Sequence, residues 1–136
     1  MTAPLKKNTC KIQTSEVCLD FMQTVQRNYT LNKRFIKYID VNKKDVFGFT
    51  ALYWAISHHN IYNLKLLIEH GATLQVTATM NALFYAIDCD NLEALRYFIN
   101  RGIDKNITRV SNTGQSYTLL EHAIRIERKV IVEYLK

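Results

Sequence analysis

The chain has 136 residues, of which 48% are apolar and 22% charged, with a formal net charge of +6. That is enough chain for one buried core and too apolar a composition for a disordered segment. Four Gly and one Pro are too few turn formers for a sandwich or barrel of many short strands, so the composition points to helices.

The charge is unevenly placed. Residues 1–44 hold nine Lys/Arg and three Asp/Glu, whereas residues 45–136 hold nine of each, so the whole excess lies near the N-terminus. Residues 1–13 read as a flexible basic leader carrying Lys6 and Lys7. Lys33, Arg34, Lys37, Lys43 and Lys44 form a candidate basic patch, either a solvated face or a surface for an acidic partner or nucleic acid. The leader has no apolar stretch long enough for a signal peptide, and no run approaches the ~20 apolar residues of a membrane span. Cys10, Cys18 and Cys89 are odd in number and show no Cys-x-x-Cys spacing, which suits reduced thiols. The expected location is intracellular, in cytoplasm or nucleus, with no membrane partner.

In chain order, the apolar spacing predicts a helix over 15–27 on Phe21 and Val25, and a second over 31–38 on Phe35 and Ile36. Helices over 50–58 and 62–69 follow. Here the chain reads Thr50-Ala51-Leu52-Tyr53-Trp54-Ala55-Ile56, and 31 residues later Asn81-Ala82-Leu83-Phe84-Tyr85-Ala86-Ile87. Leu64, Leu66, Leu67 and Ile68 recur as Leu95, Tyr97, Phe98 and Ile99, Asn60 as Asn91, and Gly71 as Gly102. Helices are therefore predicted over 81–88 and 92–100 as well. A third copy lies 37 residues on, with Leu120 and Ala123-Ile124 answering Leu83 and Ala86-Ile87, and helices over 118–126 and 128–136. Its six extra residues fit the polar segment from Thr108 to Tyr117, a longer turn. One period before Leu52 and Leu67 stand Phe21 and Ile36, but Asp40 occupies the Gly71 position. The first copy is thus degenerate, as expected of a terminal repeat.

The repeats span about 14–44, 45–75, 76–106 and 107–136, the last incomplete, within a single domain over 14–136. Each copy is a pair of short helices. Gly71 and Gly102 stand where a helix must stop, and glycine accepts the left-handed turn there. Ala55, Ala86 and Ala123 are small and allow close approach. No pair can bury its apolar side alone, so the copies must stack.

The pattern resembles the ankyrin repeat, with its Gly-x-Thr-Pro-Leu-His-x-Ala start and its Leu-Leu…Gly-Ala ending. Gly48-Phe49-Thr50-Ala51-Leu52-Tyr53-Trp54-Ala55 and Leu66-Leu67-Ile68-Glu69-His70-Gly71-Ala72 carry the likeness. Gly102-Ile103-Asp104-Lys105-Asn106 is similar to the family's Gly-Ala-Asp-x-Asn. The sequence departs at the family's Pro, replaced by Ala51, Ala82 and Leu119, and at its His, replaced by Tyr53, Phe84 and Glu121. The resemblance implies an all-α ankyrin-repeat solenoid of about four helix pairs with hairpin-like turns. The wording Ala-Leu-Tyr-Trp-Ala-Ile, followed by an Asn-containing turn, resembles poxvirus ankyrin proteins, including host-range factors. Ile, Asn, Lys and Tyr, all with AT-rich codons, make up 43 residues, which suits an AT-rich genome.

No phosphate loop, nucleophile elbow or His-Glu-x-x-His is present, so no catalytic residue, cofactor or metal is expected. His58 and His59 point about 100° apart on a helix and share no metal easily. The resemblance places partner contacts at the hairpin tips and the ends of the first helices, on the concave face. Carried over, these are Val46, Phe47, Phe49, Ser57, His58, Met80, Asp88, Cys89, Tyr117, Arg125 and Ile126, with Thr77 and Ala78 beside them. Apolar loop residues such as Phe47, Phe49 and Met80 either anchor a partner or tuck into the core. Trp54, Tyr85 and His122 occupy one equivalent position and read as packing between repeats. The resulting expectation is a non-catalytic module holding another protein, a viral factor that sequesters a host protein. The alternatives are a target-selecting adaptor for a ubiquitin ligase, and nucleic-acid binding through the basic end.

Overall fold

A capping box fixes the start of the first helix. The Gln23 amide donates to the Asp20 carboxylate at 2.8 Å, and the Gln23 side chain accepts from the Asp20 amide, which satisfies two end-of-helix donors reciprocally. The computed structural model describes residues 19–136; the leader, Lys6, Lys7, Cys10, Cys18 and the first residues of the helix predicted from 15 lie outside them. Among the described residues the elements are α1 (Phe21–Gln26), a 3-10 turn (Ile36–Tyr38), α2 (Ala51–Ser57), α3 (Ile61–Glu69), α4 (Ala82–Asp88), α5 (Leu92–Asn100), β1 (Thr108–Val110), β2 (Ser116–Thr118), α6 (Leu119–Arg125) and α7 (Lys129–Leu135).

The inner helices α1, α2, α4 and α6 stack in that order, each packed on the next, and the outer helices α3 and α5 pack beside them. One apolar cluster runs through the stack from Phe21 to Leu135. Leu52, Ile56, Leu64 and Leu67 and their equivalents Leu83, Ile87, Leu95 and Phe98 are fully buried within it. The fold is the expected helical solenoid.

The turn between paired helices is the same in all four copies. Asn28, His59, Asp90 and Glu127 sit at φ 62°, 56°, 55° and 61°, a left-handed conformation that costs a non-glycine residue roughly 1 kcal/mol. The amides of the next residues, Tyr29, Asn60, Asn91 and Arg128, donate back to Thr24, Ala55, Ala86 and Ala123 at 2.7–2.9 Å. The degenerate first copy is therefore a true repeat at this turn. Asn60 and Asn91 then cap α3 and α5 by accepting from the Asn63 and Ala94 amides, each cap contributing about 1 kcal/mol.

The helix expected over 31–38 is not formed beyond the short turn at Ile36–Tyr38. Tyr29 replaces the capping asparagine at its start. The Asn32 carboxamide instead accepts from the Arg34 amide at 2.8 Å, a local turn that competes with helical bonding. Buried Asn63 takes up the freed backbone: its Oδ1 accepts from the Leu31 amide at 2.9 Å and its Nδ2 donates to the Tyr29 carbonyl at 2.9 Å.

Gly71 and Gly102 end α3 and α5 at φ 93° and 97°. The hairpins that lead into α2, α4 and α6 differ in length. The first two are closed by single bridges, Lys44 with Thr50 and Gln75 with Asn81. The third, where the sequence carries its six extra residues, is an antiparallel ladder pairing Thr108 with Thr118, Arg109 with Tyr117 and Val110 with Ser116.

Candidate functional site

The hairpin side of the stack is organised first by one aspartate. Asp45 Oδ1 accepts from the Phe47 and Phe49 amides at 2.9 and 3.0 Å, and its Oδ2 accepts from the Trp54 indole and the Gln26 carboxamide at 2.8 and 3.1 Å. Burial pushes the Asp45 carboxyl up, but the bonds from Phe49, Trp54, Gln26 and Phe47 outweigh it and hold the group below the ordinary aspartate value of 3.8. The caged loop projects its tip outward: Val46 is 92% and Phe47 67% exposed. Phe49 turns inward, half-buried and stacked on Tyr53 at 4.0 Å between ring centroids. Tyr53 in turn stacks on Tyr85 of the next repeat at 4.4 Å.

A polar tie recurs between neighbouring repeats. Trp54, Tyr85 and His122 are equivalent by the repeat spacing, as are Gln26, Ser57 and Asp88. Trp54 meets Gln26 through the shared Asp45 carboxylate. The Tyr85 hydroxyl bonds the Ser57 hydroxyl, and His122 Nε2 donates to Asp88 Oδ1 at 2.7 Å. Each ring thus reaches back to the inner-helix end of the repeat before it. Burial pushes the Tyr85 phenol well up, so it remains a neutral donor. A second tie holds the same helix ends: Asn91 Nδ2 donates to the Ile56 carbonyl at 3.1 Å, and Arg128 Nε to the Ile87 carbonyl at 3.1 Å. The sequence placed these rings between repeats but did not reveal their polar partners, because Gln26, Ser57 and Asp88 share no residue type.

The residues singled out from sequence divide accordingly. Ser57 and Asp88 are half-buried and engaged in the ties. His58 stacks on Trp54 and bonds the Gln26 carbonyl at 2.8 Å, while His59 bonds the Cys89 carbonyl at 3.1 Å, so the two rings diverge. Cys89 is half-buried, and burial pushes its thiol up, which keeps it protonated and poorly nucleophilic. Met80 is half-buried, with Arg109 Nη1 3.4 Å from its sulfur. Tyr117 is half-buried, stacked on His122 and edge-on to Phe84. Arg125 is exposed, its guanidinium 4.5 Å from the Tyr117 ring centroid. Ile126 and Thr77 are half-buried, and Ala78 is exposed. Lys33, Arg34, Lys37, Lys43 and Lys44 are all exposed, and none forms an ion pair among the described residues. Tyr38, 72% exposed, lies beneath the Lys37 ammonium at 5.3 Å.

Among the described residues no helix is long and apolar enough to cross a membrane, and no His, Cys, Asp and Glu cluster has the arrangement of a metal site.

The family model for ankyrin repeats (3 copies) matches residues 21–109. Two ankyrin repeat proteins of fowlpox virus (strain NVSL) are similar. FPV244 is 30% identical over 92 residues, covering 62% of this chain and 14% of the viral protein. FPV022 is 26% identical over 122 residues, covering 67% of this chain and 20% of the viral protein. The chain therefore spans a fifth or less of the length of these relatives. The matched repeats, the helix-pair stack and its hairpins together decide the family: this chain belongs to the ankyrin repeat proteins, with wording like that of poxviruses, and is built as a protein-interaction module.

Proposed function

We propose that the chain holds another protein on the face made by its hairpin tips and inner-helix ends, without catalysis, inside a cell. One observation carries this reading. Phe49, Met80 and Tyr117 are equivalent positions, and all three apolar side chains stay partly open to solvent along that face, with Val46 and Phe47 beyond them. Water against such a row is unfavourable, and burial by a partner removes it. Successive repeats present the row as a continuous surface, so one partner is read by several tips at once. The likeness to fowlpox proteins supports a viral factor that sequesters a host protein, and their greater length also suits an adaptor in which these repeats select the target.

Affinity capture from host-cell lysate, comparing the whole chain with its Phe49→Ala/Met80→Ser variant after nuclease treatment, tests the reading. Proteins retained by the wild type and lost by the variant support it. Equal retention by both rejects it. A second reading rests on the five exposed cations at the N-terminal end. Under it, Lys33→Glu/Lys37→Glu abolishes binding and captured material is nuclease-sensitive. Under the first, that charge reversal changes the association rate and its salt dependence more than the residence time.

A further inference from the structure

We propose that the segment bound on this face carries a carboxylate, and that Arg125, with Arg109, receives it at the third-repeat end. The inference rests on the partner-binding reading above. The two ends of the face are chemically different. At the first-repeat end, Phe49 and Tyr53 stack with Tyr85 in one run, with centroid spacings of 4.0 and 4.4 Å. At the other end, Tyr117 has one cation beside its ring and another as its ladder partner. Arg109 is its cross-strand partner in the β1–β2 ladder, so the two side chains leave the hairpin on the same side. The Arg125 guanidinium stands 4.5 Å from the Tyr117 ring centroid.

The repeat spacing makes Arg125 the odd member of its column. Gln26, Ser57 and Asp88 are each tied to a ring of the following repeat, directly or through Asp45. Arg125, next in that series, has no ion pair among the described residues. Asp88, the preceding member of the series, accepts from His122, and Glu121, one turn before Arg125 on α6, accepts from the Thr118 amide in the capping box. A guanidinium braced on an aromatic ring keeps its planar fork free for bidentate recognition of a carboxylate. An apolar row ending in Arg125, with Arg109 leaving the hairpin on the same side as Tyr117, fits a segment with apolar or aromatic side chains at one end and Asp or Glu at the other.

The test uses a phage library of random twelve-residue peptides selected against the whole chain. Selected sequences should combine aromatic or aliphatic residues with Asp or Glu at a recurring spacing. In a synthesised winner, changing those acids to amides should weaken binding to wild type at least tenfold. In Arg125→Gln/Arg109→Gln, acidic and amide forms should bind alike, and Arg125→Lys should restore part of the preference. Winners without acids, or an acid preference that survives the double Gln variant or disappears in Lys33→Glu/Lys37→Glu instead, overturn the assignment; if those winners still depend on Phe49 and Met80, the partner-binding reading stands. Recovery of no peptide sensitive to Phe49→Ala/Met80→Ser removes the partner-binding reading, and the carboxylate site with it.

Discussion

Two columns run the length of the stack at the same repeat spacing and end in opposite environments. Ile36, Leu67, Phe98 and Leu135 occupy one equivalent position, and all four are buried in the shared core. Phe49, Met80 and Tyr117 occupy another, and each stays partly open on the hairpin side. The periodicity is the same; the local geometry decides the outcome. The first column lies in the second half of each repeat, wedged between the helices, where a void has nothing to fill it. The second lies in the hairpins just before an inner helix, where neighbouring side chains cover only part of each residue. The first column is enclosed by the core, whereas Met80 and Tyr117 of the second pack against it and keep an open side, the side proposed above to meet a partner.

The comparison is broken most directly in the core column. Leu67→Ala or Phe98→Ala should each cost roughly 2–5 kcal/mol, the range for emptying a well-packed site, as measured by urea unfolding. A loss under about 1 kcal/mol at both would mean that the columns are misaligned.

A smaller effect is expected at Asn63, which ties the non-helical strand of the first repeat to α3. Asn63→Ala strips partners from the Leu31 amide and the Tyr29 carbonyl, and an unsatisfied buried group costs about 1–3 kcal/mol. Hydrogen exchange at the Leu31 amide should accelerate with it; unchanged exchange would show that water or another group replaces the bond.

Smaller still is the pH dependence at Asp45. Because its carboxyl is held below the free value of 3.8, its bonds add stability that is fully present above that value. That contribution is lost as pH falls through the lower native value. Asp45→Asn should flatten the acid limb of an unfolding curve followed by Trp54 fluorescence, since Trp54 donates to this group. An acid limb identical to wild type would place the titration elsewhere.

Much of this was legible in the sequence. The 31-residue spacing of Leu52 with Leu83 and of Leu67 with Phe98 located α2 to α5 within a residue or two, because a core column tolerates only large apolar side chains and so repeats visibly. The longer third turn was legible for the converse reason: Ser111, Asn112 and Gly114 are polar turn formers that disfavour a continued helix. The region from Leu31 to Tyr38 was misread as a helix. Phe35 and Ile36 have helical spacing with their neighbours, but the missing capping asparagine and the Asn32 turn prevail over it. At the hairpin side, the sequence suggested apolar tips, yet could not tell that Phe47 is outside and Phe49 stacked within. That distinction is made by Asp45, whose four bonds depend on three-dimensional placement. The placing of Trp54, Tyr85 and His122 between repeats was legible from their shared spacing, whereas their polar partners were not.

The central claim is that the Phe49, Met80 and Tyr117 column recognises a partner while contributing little to folding. The measurement that tests it most directly is a paired one on Phe49→Ala/Met80→Ser: its melting temperature, and its affinity for a partner captured by the wild-type chain. The account predicts a melting temperature close to wild type and binding weaker by about 2 kcal/mol or more. An unfolded variant would place both residues in the core, and a folded variant that binds as tightly as wild type would move recognition to another face; either result contradicts the account.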